Sequence, residues 1–170
     1  MPRVPELELA ISATTRERRE NEQHGREYYF VSPTEFQRML DAGEFLEHVD
    51  FPWGQRVGTL WSEISRIREA GKAPLLDLET DGAIAVQREI PDSVTVFVRA
   101  PSFEELERRL RARATESGGE IEKRLARAKR QLEQENAFDY VIVNDDVDRA
   151  AAQLLGIVQR ELQAAGTMAP

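Results

Sequence analysis

Arg16 and Arg19 lie three residues apart, with Ser12, Thr14 and Thr15 just before them and Tyr28 following the glycine at position 25. Guanidinium groups bind phosphate in a planar, two-point manner that lysine does not copy, and hydroxyls add neutral donors around the same oxygens. A segment that gathers fixed positive charge, hydroxyls and a phenol suits a phosphate-bearing ligand. Farther along, Asp77 and Glu79 close an apolar run, and Arg108–Arg113 forms a second cationic cluster. Carboxylates at the C-terminal end of a parallel strand sit where ligands bind in open α/β sheets.

Those residues need a scaffold. Four short apolar runs read as strands: Leu7–Ser12, Pro74–Glu79, Val94–Ala100 and Tyr140–Asn144. Val94–Val98 and Tyr140–Val143 are rich in β-branched residues and nearly continuous in apolar character, as in parallel strands covered on both faces. Ser32-Pro33-Thr34-Glu35 combines a capping box with Pro at the first helical position and predicts a helix to about Ala42. Ser62–Ala70 predicts another, stopped by Gly71, and Ser102-Phe103-Glu104-Glu105 caps a third. Ile121, Leu125, Ala128 and Leu132 make one apolar stripe, and Ala151, Leu154, Leu155, Val158 and Leu162 another. Alternating strands and helices predict an α/β parallel sheet with right-handed crossovers and helices on both faces. The stretch from about Arg16 to Arg68 breaks that rhythm and reads as an insertion that builds a binding lobe.

Composition narrows the function. A chain of 170 residues fits one domain with a real core. Its net charge of −8 argues against a general nucleic-acid binder, which needs a basic surface. Positive clusters on an acidic protein suit small anionic ligands instead. The absence of Cys excludes disulfides, thiolate metal sites and Cys nucleophiles. No signal-peptide pattern is visible and no apolar run approaches the ~20 residues that span a bilayer, so a cytoplasmic location without membrane partners is expected.

The run Ser12-Ala13-Thr14-Thr15-Arg16, leading through Arg19 to Gly25-Arg26-Glu27-Tyr28-Tyr29-Phe30, resembles the monophosphate-binding segment of guanylate kinases. The resemblance extends over nearly the whole chain. Glu44-Phe45-Leu46-Glu47 is similar to the family's Gly-Glu-Phe-Leu-Glu, which implies that Glu47 reads the guanine edge. A carboxylate there accepts guanine N1–H and N2–H together, which adenine cannot supply. Gly58-Thr59 matches a ligand-touching Gly-Thr/Ser element, although Val57 stands where a phosphate-binding Tyr is usual and Arg56 is a candidate to replace it. Leu75–Ala83 resembles the strand ending in Asp-x-Asp-x-Gln-Gly. Asp77 would then face the metal and the monophosphate, while Glu79 and Asp81 replace the second Asp and the Gln. Arg109-Leu110-Arg111-Ala112-Arg113 looks like the start of the kinase lid, with a turn over Glu116–Glu120. It implies that Arg109, Arg113 and Arg124 offset charge on a transferring phosphoryl group. Arg111, Arg127 and Arg130 read as helix-surface arginines with Glu partners. Val143-Asn144-Asp145-Asp146 matches the segment near the ATP adenine, which places Asn144 there.

The same resemblance divides the chain into a core (1–15, 69–103 and 126–170), a GMP-binding lobe (16–68) and a lid (104–125). The family's opening strand and phosphate loop, which hold the ATP phosphates and help hold Mg²⁺, have no counterpart in residues 1–11, which contain neither Gly nor Lys. The expectation is a P-loop-kinase-like fold without its central first strand, truncated by start-site choice or gene loss. Such a chain would bind GMP or GDP, bind ATP weakly if at all, and be nearly inactive alone. It would need no metal of its own, Mg²⁺ entering with ATP in a longer form, and would self-associate through the incomplete sheet. A guanylate-kinase-like module that binds GMP or phosphopeptides without catalysis is the alternative reading, and a poorly folded fragment is a third.

Overall fold

The computed structural model of the protein describes residues 4–113 and 118–166, with the backbone alone at residues 113 and 118–120. Two compact units emerge, Met1–Pro91 and Asp92–Pro170.

In the first unit, β1 (Leu7–Leu9) pairs in parallel with β6 (Ala73–Leu75). Both are shorter than the apolar runs that predict them. Between them in sequence lie β2 (Ala13–Thr14), β3 (Tyr29–Phe30), α1 (Pro33–Asp41), β4 (Phe45–Asp50), β5 (Arg56–Leu60) and α2 (Trp61–Glu69). The expected insertion is thus a structure of its own, a four-stranded sheet ordered β3-β2-β5-β4. It is mixed: β2 runs parallel to β3 but antiparallel to β5, and β4 is antiparallel to β5. In place of one parallel sheet, the described residues form this mixed sheet and two parallel pairs; within the lobe, β4 and β5 are joined by a short turn, as antiparallel pairing allows.

The capping box at Ser32 opens α1 as expected, its hydroxyl accepting the Glu35 N–H at 3.1 Å. Helix α1 packs Phe36 and Met39 against Ala13, Phe45 and Leu60 of the lobe sheet. Phe36 and Phe45 stack with centroids 4.4 Å apart. A second cluster joins Leu46 of β4, Ile64 of α2 and Val86 of α3 (Thr80–Glu89).

In the second unit, β7 (Val96–Arg99) and β8 (Tyr140–Val143) pair in parallel. Around them stand α4 (Phe103–Arg113), α5 (Gly118–Leu132), a 3₁₀ turn (Glu135–Ala137) and α6 (Val147–Ala164). Of the lid turn expected over Glu116–Glu120, residues 118–120 are already helical and the rest lies outside the described residues. Thr95 and Asp139 clamp the start of the strand pair: the Thr95 N–H and hydroxyl donate to Asp139 Oδ2 at 2.8 Å each. The stripe on α6 keeps Leu154, Leu155, Val158 and Leu162 and differs only at its start, where Ala150 is buried and Ala151 exposed. Asp146 caps the helix through the Arg149 N–H, and the inward line then runs in steps of four from buried Ala150 through half-buried Leu154 and Val158 to buried Leu162. Among the described residues, no helix is long and apolar enough to cross a membrane.

Candidate functional site

The lobe sheet lines up four of the expected ligand residues. Ala13 pairs with Tyr29 on one side and with Gly58 on the other, and Glu47 pairs with Thr59. Continued by one residue, that register sets Tyr28, Ser12, Thr59 and Glu47 side by side across the strands. Three inter-strand steps make the row about 14 Å long, the scale of a nucleoside monophosphate. One end carries a phenol and a hydroxyl, the other a carboxylate.

At the hydroxyl end, the Arg16 guanidinium lies over the rings of Tyr28 (5.4 Å) and Phe30 (5.7 Å). Its Nη1 donates to the Glu17 carbonyl and its Nη2 to Glu22 Oε1 at 2.7 Å. The other Glu22 oxygen accepts the Arg19 backbone N–H at 2.8 Å. These contacts hold the Glu22 carboxyl below its ordinary range, the Arg16 hydrogen bond first among them. Arg19 itself is exposed. The structure therefore brings Ser12, Arg16 and Tyr28 together and adds Glu22, which sequence reasoning passed over as one acidic residue in a charge run.

At the carboxylate end, a β-bulge does the positioning. Phe45 pairs with Leu60 and Glu47 with Thr59, so two steps on β4 match one on β5. Adjacent strand residues face opposite ways, and the extra residue therefore turns Glu47 away from the face that sends Phe45 into the α1 core. Glu47 is only 5% exposed, and its Oε1 accepts the Thr59 N–H at 2.9 Å. Burial pushes its carboxyl up, against the opposing pull of the Thr59 contacts and of His48. The Thr59 hydroxyl, on a residue 1% exposed, is buried beside the Glu47 carboxylate without a well-formed hydrogen bond of its own. A ligand group reaching Glu47 would meet this hydroxyl as well. The glycine before Thr59 is obligatory: a Cβ on Gly58 would come within 2.7 Å of both the Glu47 carbonyl and the Phe45 ring.

Glu47 meets a second glycine from α3. A Cβ on Gly82 would lie 2.5 Å from Glu47 Oε2 and 3.2 Å from its Cδ. Just before this helix, β6 ends at Leu75, so Asp77 follows the strand end, exposed, and Glu79 occupies the N-cap position of α3 half-buried. Both carboxylates thus stand beyond the C-terminal end of a parallel strand, although the strand itself is shorter than its apolar run.

Arg56, the candidate to replace the Tyr absent at position 57, is engaged within the lobe. Its guanidinium stacks on Phe36 at 4.7 Å and donates to Asp50 Oδ1 (2.8 Å) and Gln37 Oε1 (2.9 Å), so it ties α1 to the β4–β5 hairpin. Glu63, absent from the sequence reading, is a structural hub. At 3% exposure it accepts the Ile11 N–H, the Tyr29 hydroxyl and two guanidinium hydrogens of Arg66, all within 3.0 Å. Burial alone would raise its carboxyl; these donors together hold it below the ordinary value. Its only sequence signal is the Glu63/Arg66 spacing on α2.

In the second unit, Arg109 Nε donates to Glu105 at 2.7 Å and Nη1 to the Asn144 carbonyl at 2.9 Å. Helix α4 is thereby fastened to the segment after β8. Arg111 pairs with Glu107 and Glu122, the surface role expected of it. Arg124 sits half-buried on α5, and the side chain of Arg113 lies outside the described residues. Among the described residues, no three carboxylate or imidazole groups converge to hold a metal ion.

The guanylate kinase family model matches residues 5–161. The guanylate kinase of Rubrobacter xylanophilus is 42% identical over 157 residues, covering 92% of this chain and 82% of its own. That of Symbiobacterium thermophilum is 42% identical over 158 residues, covering 93% and 74%. Among solved structures, guanylate kinase from Anaplasma phagocytophilum superposes with a TM-score of 0.78 at 30% identity, over 94% of this chain and 78% of that one.

Proposed function

The chain belongs to the guanylate kinase family, and from that premise we propose that its 16–68 lobe holds GMP as the acceptor in phosphoryl transfer from ATP. A GMP phosphate oxygen attacks the γ-phosphorus of ATP, the bond from that phosphorus to the β-γ bridging oxygen breaks, and GDP and ADP leave. What supports this reading is the single row of Tyr28, Ser12, Thr59 and Glu47 across the lobe sheet, with Arg16 over the Tyr28 ring. A phosphate grip and a base-reading carboxylate stand at opposite ends of one rigid surface. Ser12, Arg16, Arg19 and Tyr28 would take the phosphate. Glu47 would accept guanine N1–H and N2–H, the Thr59 hydroxyl would meet the base edge, and Asp77 and Glu79 would approach the same nucleotide.

Arg109, Arg113 and Arg124 are proposed to offset charge on the transferring group, and Asn144 to lie by the adenine. Little covalent chemistry is asked of the protein, so alignment and charge compensation carry the rate. In this family Mg²⁺ enters with ATP, where it neutralises phosphate charge; the steps assigned to this chain belong to its arginines and hydroxyls. These 170 residues contain no Gly-x-x-x-x-Gly-Lys run, and on their own they are proposed to bind ATP weakly and turn over slowly.

Calorimetric titration with GMP, AMP and a phosphoserine peptide tests the reading. GMP binding that is lost in Glu47→Ala, with AMP and the peptide far weaker, supports it. Equal binding of GMP and AMP, or GMP binding indifferent to Glu47, overturns it.

A further inference from the structure

Gly82 stands as the third residue of α3, in the first turn of a helix, where alanine has the higher intrinsic helix propensity. Its backbone does not explain it. Among the described residues, the glycines with positive φ are at positions 25, 43, 54, 71 and 166, and Gly82 is not one of them. A methyl group here would meet the Glu47 carboxylate first. The three heavy atoms nearest to a Cβ at this position, at 2.5, 3.2 and 3.7 Å, all belong to the Glu47 side chain.

Glu47 has little freedom to step aside. It is buried, it is aimed by the bulge, and Oε1 already accepts the Thr59 N–H. A methyl group at position 82 pushes Oε2 from the opposite side. What yields is the far end of a side chain, not backbone, so the fold survives while the carboxylate turns off its hydrogen bond. We propose that Gly82 is a positioning residue for base selection, its missing Cβ being what lets α3 close over Glu47 and fix the angle at which both carboxylate oxygens meet the ligand. This rests on the reading of Glu47 as the guanine-recognising group. The two oxygens must be coplanar with N1–H and N2–H, so a rotated carboxylate keeps its charge and loses the paired contact.

The chemical signature is discrimination between GMP and IMP, which share the 6-oxo group and N1–H and differ only in the 2-amino group. Affinities are measured by calorimetry for the full 170-residue wild type, Gly82→Ala, Glu47→Ala and the double variant, with thermal unfolding of each. The expected result is a GMP Kd raised about tenfold or more in Gly82→Ala, an IMP Kd changed less, and a Tm equal to or above wild type. In the Glu47→Ala background the Gly82 substitution then costs no further affinity. If Gly82→Ala does not fold but the double variant does, the clash with Glu47 is demonstrated and the proposal stands. If neither folds, or if Gly82→Ala keeps wild-type affinities and GMP preference, the proposal is overturned. A wild type without GMP preference, or one whose preference survives Glu47→Ala, overturns the guanine reading itself.

Discussion

Arg16 and Glu22 form a closed unit: Nη2 of the arginine donates to Oε1 at 2.7 Å while Oε2 accepts the Arg19 backbone N–H, and both side chains of the pair are largely shielded, at 19% and 14% exposure. One carboxylate therefore orients the guanidinium and the turn that carries the next one. It fixes which edge of Arg16 is free for a phosphate.

Glu22→Gln keeps the shape and removes the charge. GMP affinity is expected to fall about tenfold, the loss of one charge-assisted contact, while guanosine, which has no phosphate, binds as before. Calorimetry with the two ligands checks this. Equal losses for both would mean that Glu22 supports the lobe at large and not the phosphate end.

Arg109 makes a different kind of contact, to the main chain, through the Asn144 carbonyl. Replacing it by Ala frees that carbonyl and the segment that leads into α6. Amide hydrogen exchange at Asn144 and Asp145 is expected to quicken by about tenfold or more, since a hydrogen bond from a charged donor is worth roughly 1.5–3 kcal/mol. GMP affinity should stay unchanged and ADP affinity should fall. Mass-resolved exchange together with titration of both nucleotides reads all three.

Much of this architecture is legible in one sequence because it is local. Ser32 and Ser102 announce helix starts, with the first turn's N–H bonded back to each side chain. The β-branched runs at 94–98 and 140–143 mark the parallel pair, with strand ends trimmed by one or two residues. The Ser12, Arg16, Tyr28, Glu47 and Thr59 set was found through a motif, but its alignment into one row depends on strand register, which no local signal encodes. The bulge at Leu46 escaped notice because Phe45, Leu46 and Glu47 are all buried, so the period of two is absent there. Glu22, Glu63 and Gly82 matter through partners 6, 52 and 35 residues away, and Arg56 is claimed by Phe36, Gln37 and Asp50 before any ligand reaches it.

Glu63 governs stability on the acid side. Its folded carboxyl titrates below the ordinary 4.5 because the donors from Arg66, Ile11 and Tyr29 outweigh the burial that opposes them. A depressed folded value means that the ionised group stabilises the protein above about pH 4.5 and that this contribution fades as pH falls through the folded value. Glu63→Gln is expected to be about 1–3 kcal/mol less stable at pH 7, with the gap to wild type closing below pH 4. Urea unfolding at several pH values measures it, and a constant gap would show that shape, not charge, is what Glu63 supplies.

Glu47 runs the other way. Burial raises its folded carboxyl above 4.5, so the folded protein favours the neutral form more than the unfolded chain does. The stability linked to that form is full below pH 4.5 and is lost as pH rises through the folded value. At neutral pH the ionised Glu47 is therefore a strained element of the free protein, held ready for a ligand that donates two hydrogens to it. Glu47→Gln keeps an acceptor for the Thr59 N–H and removes the buried charge. Its Tm should exceed wild type at pH 7.5 and the advantage should disappear near pH 4. Guanosine affinity, free of any phosphate titration, should fall in wild type as pH drops through the raised Glu47 value and should be weak and pH-independent in Glu47→Gln. Thermal unfolding and guanosine titration between pH 4 and 8 measure both. A Gln variant less stable than wild type at pH 7.5 would show that the carboxylate is already satisfied without a ligand, and the base-reading role would then need another residue.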